Sequence, residues 1–333
     1  MPGIFTISLD FELHWGVFDK KDRLNRTACY QNTLKLVPEL LRLFEKYHVH
    51  VTWATVGGMF AEGREEWDQL KPSVQPAYAL EKYSAYKWVE HNGIPRDLYF
   101  AHFAPESIVK ITQSPGQELG THTFGHYYCL EQQPSLAAFD ADLKSVWKSA
   151  EKFNVAPISL VFPRNQFNDE SLRICSANNI KVVRSNPNNW FWSPIADSKA
   201  QLLRKLYRTG DAYIPVAGRT SYPLDSISLQ KGQPIQLPAS RLLKPWHPKF
   251  GVANKLHLRR VIRELKAAAK YNECYHLWWH PENFGDYPRQ NIDSLEFILK
   301  EFEQARLKHG AVSWNMGEYV DYFSKESNSA SSN

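Results

Sequence analysis

Gln117-Glu118-Leu119-Gly120-Thr121-His122-Thr123-Phe124-Gly125-His126 is a short strand-like run closed by two histidines four residues apart. Side chains at that spacing share one side of a helical turn, so both neutral imidazoles can bind one cation. A carboxylate is needed to complete such a site, and the N-terminus offers two in Ser8-Leu9-Asp10-Phe11-Glu12. Residues two apart at a strand end project to the same side, so Asp10 and Glu12 point together. Two imidazoles and one carboxylate, with positions left for water and substrate, describe an open catalytic metal site. Taken alone, a His-x-x-x-His pair is more often two hydrogen-bonded histidines, and Asp-x-Glu is most often a solvated pair. Placement raises the odds, because each group follows a short apolar run that reads as a strand, which is where barrel enzymes put their chemistry.

The rest of the chain supplies the frame. Strands are expected at residues 4–9, 49–56, 118–121, 158–162, 180–183, 275–279 and 311–314, from β-branched or short apolar runs. Helical spacing of apolar residues marks 32–47, 105–113, 135–153, 168–179, 255–271, 292–308 and 316–323, with Asn32, Ser135 and Asn168 as caps. Strands alternating with helices predict parallel strands and crossover helices. Asp10, His122, Arg164 and His280 would then sit just past the carboxyl ends of four separate strands, which share one face in a (β/α) barrel. The expectation is an α/β fold, an irregular (β/α) barrel of about seven strands. It forms a single domain over residues 1–323, with an insertion around 61–103 and a disordered polar tail at 324–333. The Pro-, Ser- and Trp-rich stretch 185–248 reads poorly, apart from short strands near 212–216 and 235–237.

Composition narrows the class. The 333 residues are 43% hydrophobic and 23% charged, ordinary for a globular protein, and the net charge of +5 does not by itself argue for nucleic acid or membrane partners. A basic helix around Arg259, Arg260 and Arg263 reads as a solvated face. No run of about 18 apolar residues is present, so no transmembrane helix is expected, and the opening Met1-Pro2-Gly3-Ile4-Phe5-Thr6 lacks the basic start of a signal peptide. Cys29, Cys129, Cys175 and Cys274 lack a Cys-x-x-Cys pattern and read as free thiols of a reducing compartment, so a cytoplasmic location is expected. Cys129 follows His126 by three, but a buried free cysteine usually serves as a small hydrophobe. Five of the 11 tryptophans fall late, at Trp190, Trp192, Trp246, Trp278 and Trp279; most should be core, and one or two are expected to line a cleft suited to the flat face of a sugar.

With these pieces placed, the chain from Ile4 to Phe323 resembles the polysaccharide deacetylases, the NodB-homology carbohydrate esterases. Ser8-Leu9-Asp10-Phe11-Glu12 is similar to the family's first acidic motif, and Val51-Thr52-Trp53-Ala54-Thr55-Val56-Gly57 to its second strand. Glu118 to His126 is a close match to its His-Ser/Thr-x-x-His motif, and Leu277-Trp278-Trp279-His280-Pro281-Glu282 to its closing histidine motif. Phe162-Pro163-Arg164-Asn165-Gln166 departs from the usual Arg-x-Pro order, and no clear counterpart exists for the acid that pairs with the histidine, for which Asp225 and Glu282 are candidates.

The resemblance implies removal of an N-acetyl group from an amino sugar, in an N-acetylated glycan or its precursor. It implies Glu12, His122 and His126 as ligands of one divalent ion, zinc by default, with cobalt, nickel or iron also suited to those donors. Asp10 would be the general base, Arg164 its orienting partner and His280 the acid for the leaving nitrogen. Two competing readings are a metal-independent amidohydrolase of small ureides on the same fold, against which the retained Glu12, His122 and His126 speak, and a non-catalytic sugar-binding protein. The absence of a signal peptide points to an intracellular amino-sugar precursor or lipid-linked oligosaccharide. Oligomeric state is not legible in the sequence.

Overall fold

The computed structural model describes residues 1–20, 26–133, 135–187, 192, 193, 195, 196, 210, 218–227 and 229–330. Trp190, the strand expected at 212–216 and the last three residues of the tail lie outside them. Ten strands are described: β1 Ile4–Phe11, β2 Val51–Thr55, β3 Gln117–Thr121, β4 Ser159–Val161, β5 Val182–Ser185, β6 Tyr222–Pro223, β7 Ile235–Pro238, β8 Arg241–Leu242, β9 Glu273–Trp279 and β10 Val312–Ser313. The described α-helices are α1 Thr27–Lys46, α2 Arg64–Leu70, α3 Ala85–Asn92, α4 Pro105–Gln113, α5 Leu136–Ala150, α6 Asp169–Ala177, α7 Gly251–Tyr271, α8 Pro288–His309 and α9 Met316–Ala330. The expected alternation is present, with α9 running past the expected end at Phe323.

Parallel pairing runs β9-β1-β2-β3-β4-β5-β7. The ring then closes through one extended segment. β7 pairs with β5, β8 pairs with β9, and between them Ala239 donates to Ser185 and Ser240 to His276. Counting β7 and β8 as one bent strand gives seven strands, the irregular (β/α) barrel expected. The two-residue strands β6 and β10 only extend the amino ends of β9 and β1.

Residue parity along β1 sorts the layers. Phe5, Ile7, Leu9 and Phe11 face outward into the main core with Leu40, Phe44, Leu295 and Leu299 of the surrounding helices. Thr6 and Ser8 face the barrel interior, where Tyr319 of α9 meets Thr6 at 2.8 Å and Met316 packs beside Ile4, plugging the amino end. Asp10 continues this inward row at the carboxyl end. The insertion expected around 61–103 is the chain between β2 and α4, built from α2, α3 and short 3-10 turns. Ser135 accepts from Ala138 and Asn168 from Ser171, so both caps form as expected. Asn32 does not cap, because α1 begins earlier at Thr27 and the Asn32 amide instead donates to the Gly285 carbonyl.

Candidate active site

Five of the expected site residues meet at the carboxyl end of the barrel. Asp10 ends the inward row of β1, Glu12 follows that strand, His122 and His126 follow β3, and His280 follows β9. Glu12 Oε2 lies 3.2 Å from His122 Nε2 and 3.0 Å from His126 Nε2. The three side chains are buried, with ligand atoms all within 4.8 Å of one another.

Several features of this triad fit a divalent ion. Both rings turn Nε2 toward the carboxylate, and the far nitrogen of His126 is held by the Tyr128 hydroxyl at 3.0 Å, as ligating imidazoles commonly are. Burial lowers the His126 pKa to about 4, so the ring is neutral and its nitrogen is available. Burial alone would raise the Glu12 carboxyl, but the imidazoles of His280, His122 and His126 hold it well below the usual range. Space for that carboxylate depends on Gly16, where a Cβ would lie 1.9 Å from Glu12 Oε1.

The histidine loop is not the helical turn expected from spacing. Thr123 and His126 adopt φ of 64° and 55°, so the backbone reverses twice and brings the rings together from a strand end and a loop. Left-handed backbone at non-glycine residues costs about 1–3 kcal/mol each, and neighbours must enforce it. Asp142 on α5 does so: its carboxylate accepts from the Phe124 and Gly125 amides at 2.6 and 3.0 Å and from the Tyr86 hydroxyl at 2.7 Å. Gly125 permits this clamp, since a Cβ there would meet Tyr86 Oη at 2.5 Å.

Asp10 is held by an arginine, but not by the one expected. Arg184 in β5 makes a two-pronged pair with it, Nη1 to Oδ1 at 2.6 Å and Nη2 to Oδ2 at 2.7 Å. Arg164, expected to orient the base, instead donates to Asp19 at 2.5 Å and stacks on the Tyr128 ring at 4.3 Å. The turn carrying it has left-handed backbone at Arg164 and Asn165; Arg164 lines the cavity beside Asp10 without pairing with it, and the Asn165 side chain contacts Arg184. Arg184 also donates to Ser8, whose hydroxyl shares a hydrogen bond of 2.8 Å with His276 Nε2, and its guanidinium lies over Trp278. Burial would raise the Asp10 carboxyl, yet Arg184, with His280 and His122, lowers it below the ordinary value and keeps it ionised.

His276 and His280 separate in role by depth. His276 is fully buried inside the barrel. His280 faces the cavity, its Nε2 3.7 Å from Asp10 and 3.5 Å from Glu12. Asn283 Nδ2 contacts His280 Nδ1 at 3.3 Å. Nε2 is therefore the ring nitrogen that faces the cavity. No acid reaches that Nδ1 among the described residues. Asp225 follows β6, which pairs with the opposite end of β9, and the Glu282 carboxylate is buried with neither oxygen hydrogen-bonded. Burial, with repulsion from Glu12 and Asp10, pushes the Glu282 carboxyl well above its ordinary range.

These groups floor a cavity of about 700 Å³. Trp246 and Trp278 form part of its wall, while Trp279 is fully buried and stacks on Phe284 in the core.

No protein-family profile and no curated protein matches the sequence. Solved structures do. A Mycobacterium smegmatis protein assigned as a polysaccharide deacetylase superposes over 98% of this chain and 92% of its own, with a TM-score of 0.59 at 13% identity. The chain has the polysaccharide-deacetylase fold. A 4-alpha-glucanotransferase of Thermococcus litoralis shares it at TM-score 0.50 and 12% identity, over 96% of this chain but only 40% of that one. The same holds for a branching enzyme of Pyrococcus horikoshii, at TM-score 0.50 and 12% identity over 97% and 71%. A barrel of this shape therefore serves more than one carbohydrate chemistry, and the choice among them rests on the side chains at its carboxyl end.

Proposed function

We propose that the protein is a metal-dependent deacetylase that hydrolyses the acetamide of an amino sugar in a glycan or glycan precursor. The observation that carries this reading is the convergence of Glu12, His122 and His126 beside the Asp10–Arg184 pair and His280 on one cavity floor. Glu12, His122 and His126 would hold one divalent ion, with zinc the default for two imidazoles and a carboxylate. Bound there, the ion supplies a Lewis acid for the acetamide oxygen and lowers the pKa of water at the site. Asp10, kept ionised by Arg184, takes the proton of the attacking water. Arg184 fixes both oxygens of that base with its two-pronged guanidinium, so the base stays in one orientation. His280, as an imidazolium, would give its Nε2 proton to the departing nitrogen, which could not leave as an amine anion, and become the neutral ring. Trp246 and Trp278 offer flat apolar walls for a sugar ring. All four cysteines are free, which suits a reducing compartment and supports a cytoplasmic role.

The test is turnover of N-acetylated amino sugars, read as acetate release, with wild type beside Asp10→Asn. Acetate release by wild type that falls about 10²–10⁴-fold in the variant supports the reading; equal release by both rejects Asp10 as the base.

A further inference from the structure

Helix α7 carries a surface that the catalytic reading does not use. Its inner face is buried through His257, Val261, Leu265 and Ala268, and its one carboxylate, Glu264, is buried between Arg241 and Arg260. The helix itself therefore carries no acid on its outer face, where Lys266 alone is paired, with Glu301 of α8. Lys255, Arg259, Arg263 and Lys270 are exposed there, with no ion-pair partner among the described residues. At the amino end of the same helix the surface turns apolar. Phe250 is 55% exposed, Val252 76% and Leu256 45%. Val252, Leu256, Arg259 and Arg263 are spaced by four, three and four, so the apolar tip and the cations form one stripe along the helix. Large side chains that exposed, grouped and bordered by cations, mark a contact surface more often than solitary exposed residues do.

The tip is also continuous with the cavity mouth. Phe250, Asn254, His257 and Leu258, from the start of α7, form one wall of the cavity floored by Asp10 and Glu12. Whatever covers Phe250 and Val252 therefore lies against the entrance.

We infer that this stripe docks the protein on an anionic membrane surface, with Phe250, Val252 and Leu256 entering the headgroup layer and the α7 cations resting on acidic lipid headgroups, so that the cavity opens along the bilayer. Charge complementarity selects this occupant. A purely apolar partner would leave the unpaired cations unused, and a purely anionic one would leave three large apolar side chains in water. An interfacial bilayer satisfies both. The inference rests on the α7 surface and the cavity mouth, not on the chemistry inside.

The test is co-sedimentation of the full chain with phosphatidylglycerol-containing vesicles and with pure phosphatidylcholine vesicles. Binding is read without turnover, so failure of the deacetylase reading would not affect it. Phosphatidylglycerol vesicles should bind the protein and phosphatidylcholine vesicles should not, and binding should weaken as salt rises. Each cation near the surface is worth about fivefold in affinity, so R259E/R263E should bind more than tenfold more weakly. F250S/V252S/L256S should also lose at least tenfold, while far-UV circular dichroism and Tm stay unchanged, because these side chains are exposed. No binding to the acidic vesicles overturns the inference, as does binding that both variants retain. So does dimerisation of wild type that the serine variant abolishes, which would assign the tip to a second copy. Binding to heparin that equals vesicle binding and survives the serine variant would assign the surface to a soluble polyanion and overturn it as well.

Discussion

The pairing of Asp10 with Arg184 is the most exacting contact in the site, because both groups are buried and each would be costly alone. Replacing Arg184 with Met leaves a buried, uncompensated carboxylate. We expect a loss of about 3–5 kcal/mol in unfolding free energy. The acid limb of the kcat/KM profile should also move to higher pH, since the cation that lowers the Asp10 carboxyl is gone. Arg164→Ala should leave that limb in place, because Arg164 pairs with Asp19; a shift of equal size in both variants would reject the assignment. The sequence made the histidines legible, because four-residue spacing next to a strand is itself a geometric statement. It did not discriminate between the arginines. Arg164 and Arg184 each follow a short apolar run, and the left-handed backbone at Arg164 has no signature beyond the asparagine beside it.

At the scale of elements, the site depends on what the loops leave out. Gly16, in the 3-10 turn after β1, keeps open the space the Glu12 carboxylate fills. Gly16→Ala should displace the end of that flexible side chain rather than backbone. We expect metal affinity to fall at least about tenfold, with Tm within a few degrees of wild type; unchanged metal content in equilibrium dialysis would contradict this. Asp142→Ala should behave differently. It strands two buried amides and a tyrosine hydroxyl, at about 1–3 kcal/mol per unsatisfied group, and releases the left-handed turns of the His122–His126 loop. Chemical denaturation should show the loss, and metal affinity should fall with it. Asp142 was not legible as a site residue, because an acid on an amphipathic helix is ordinary in sequence and only the fold brings it under the loop. The caps at Ser135 and Asn168 were legible because a cap is a local interaction. Closure of the barrel by residues 235–242 was only half legible: β7 reads as a strand, but its switch of partner from β5 to β9 is a tertiary event.

The whole molecule carries its pH response in buried imidazoles. Burial lowers His14 to about 3, His102 to about 4 and His276 to about 3, as it does His126. Unfolded, these rings protonate near the ordinary histidine value of 6.5, so the unfolded state binds more protons as acid is added. Stability is full above pH 6.5 and falls as pH drops toward 4, by roughly 3 kcal/mol per ring at the limit. Asp142, raised to about 6 by burial, and Glu282, raised well above its ordinary value, act in the opposite sense, but the four histidines outnumber them. Thermal denaturation of the metal-free protein should show Tm falling between pH 6.5 and 4; a flat or rising Tm over that range would contradict the neutral, buried histidines described here.

The central claim is that three side chains from two distant segments, joined only by the barrel, form one metal site. Its most direct test is the metal content of the purified chain by elemental analysis, beside the His122→Ala/His126→Ala double variant. About one divalent ion per chain in wild type, absent from a folded variant, is the expected result. A wild type that holds no ion after equilibration with zinc or cobalt, or a variant that retains it, would contradict the account.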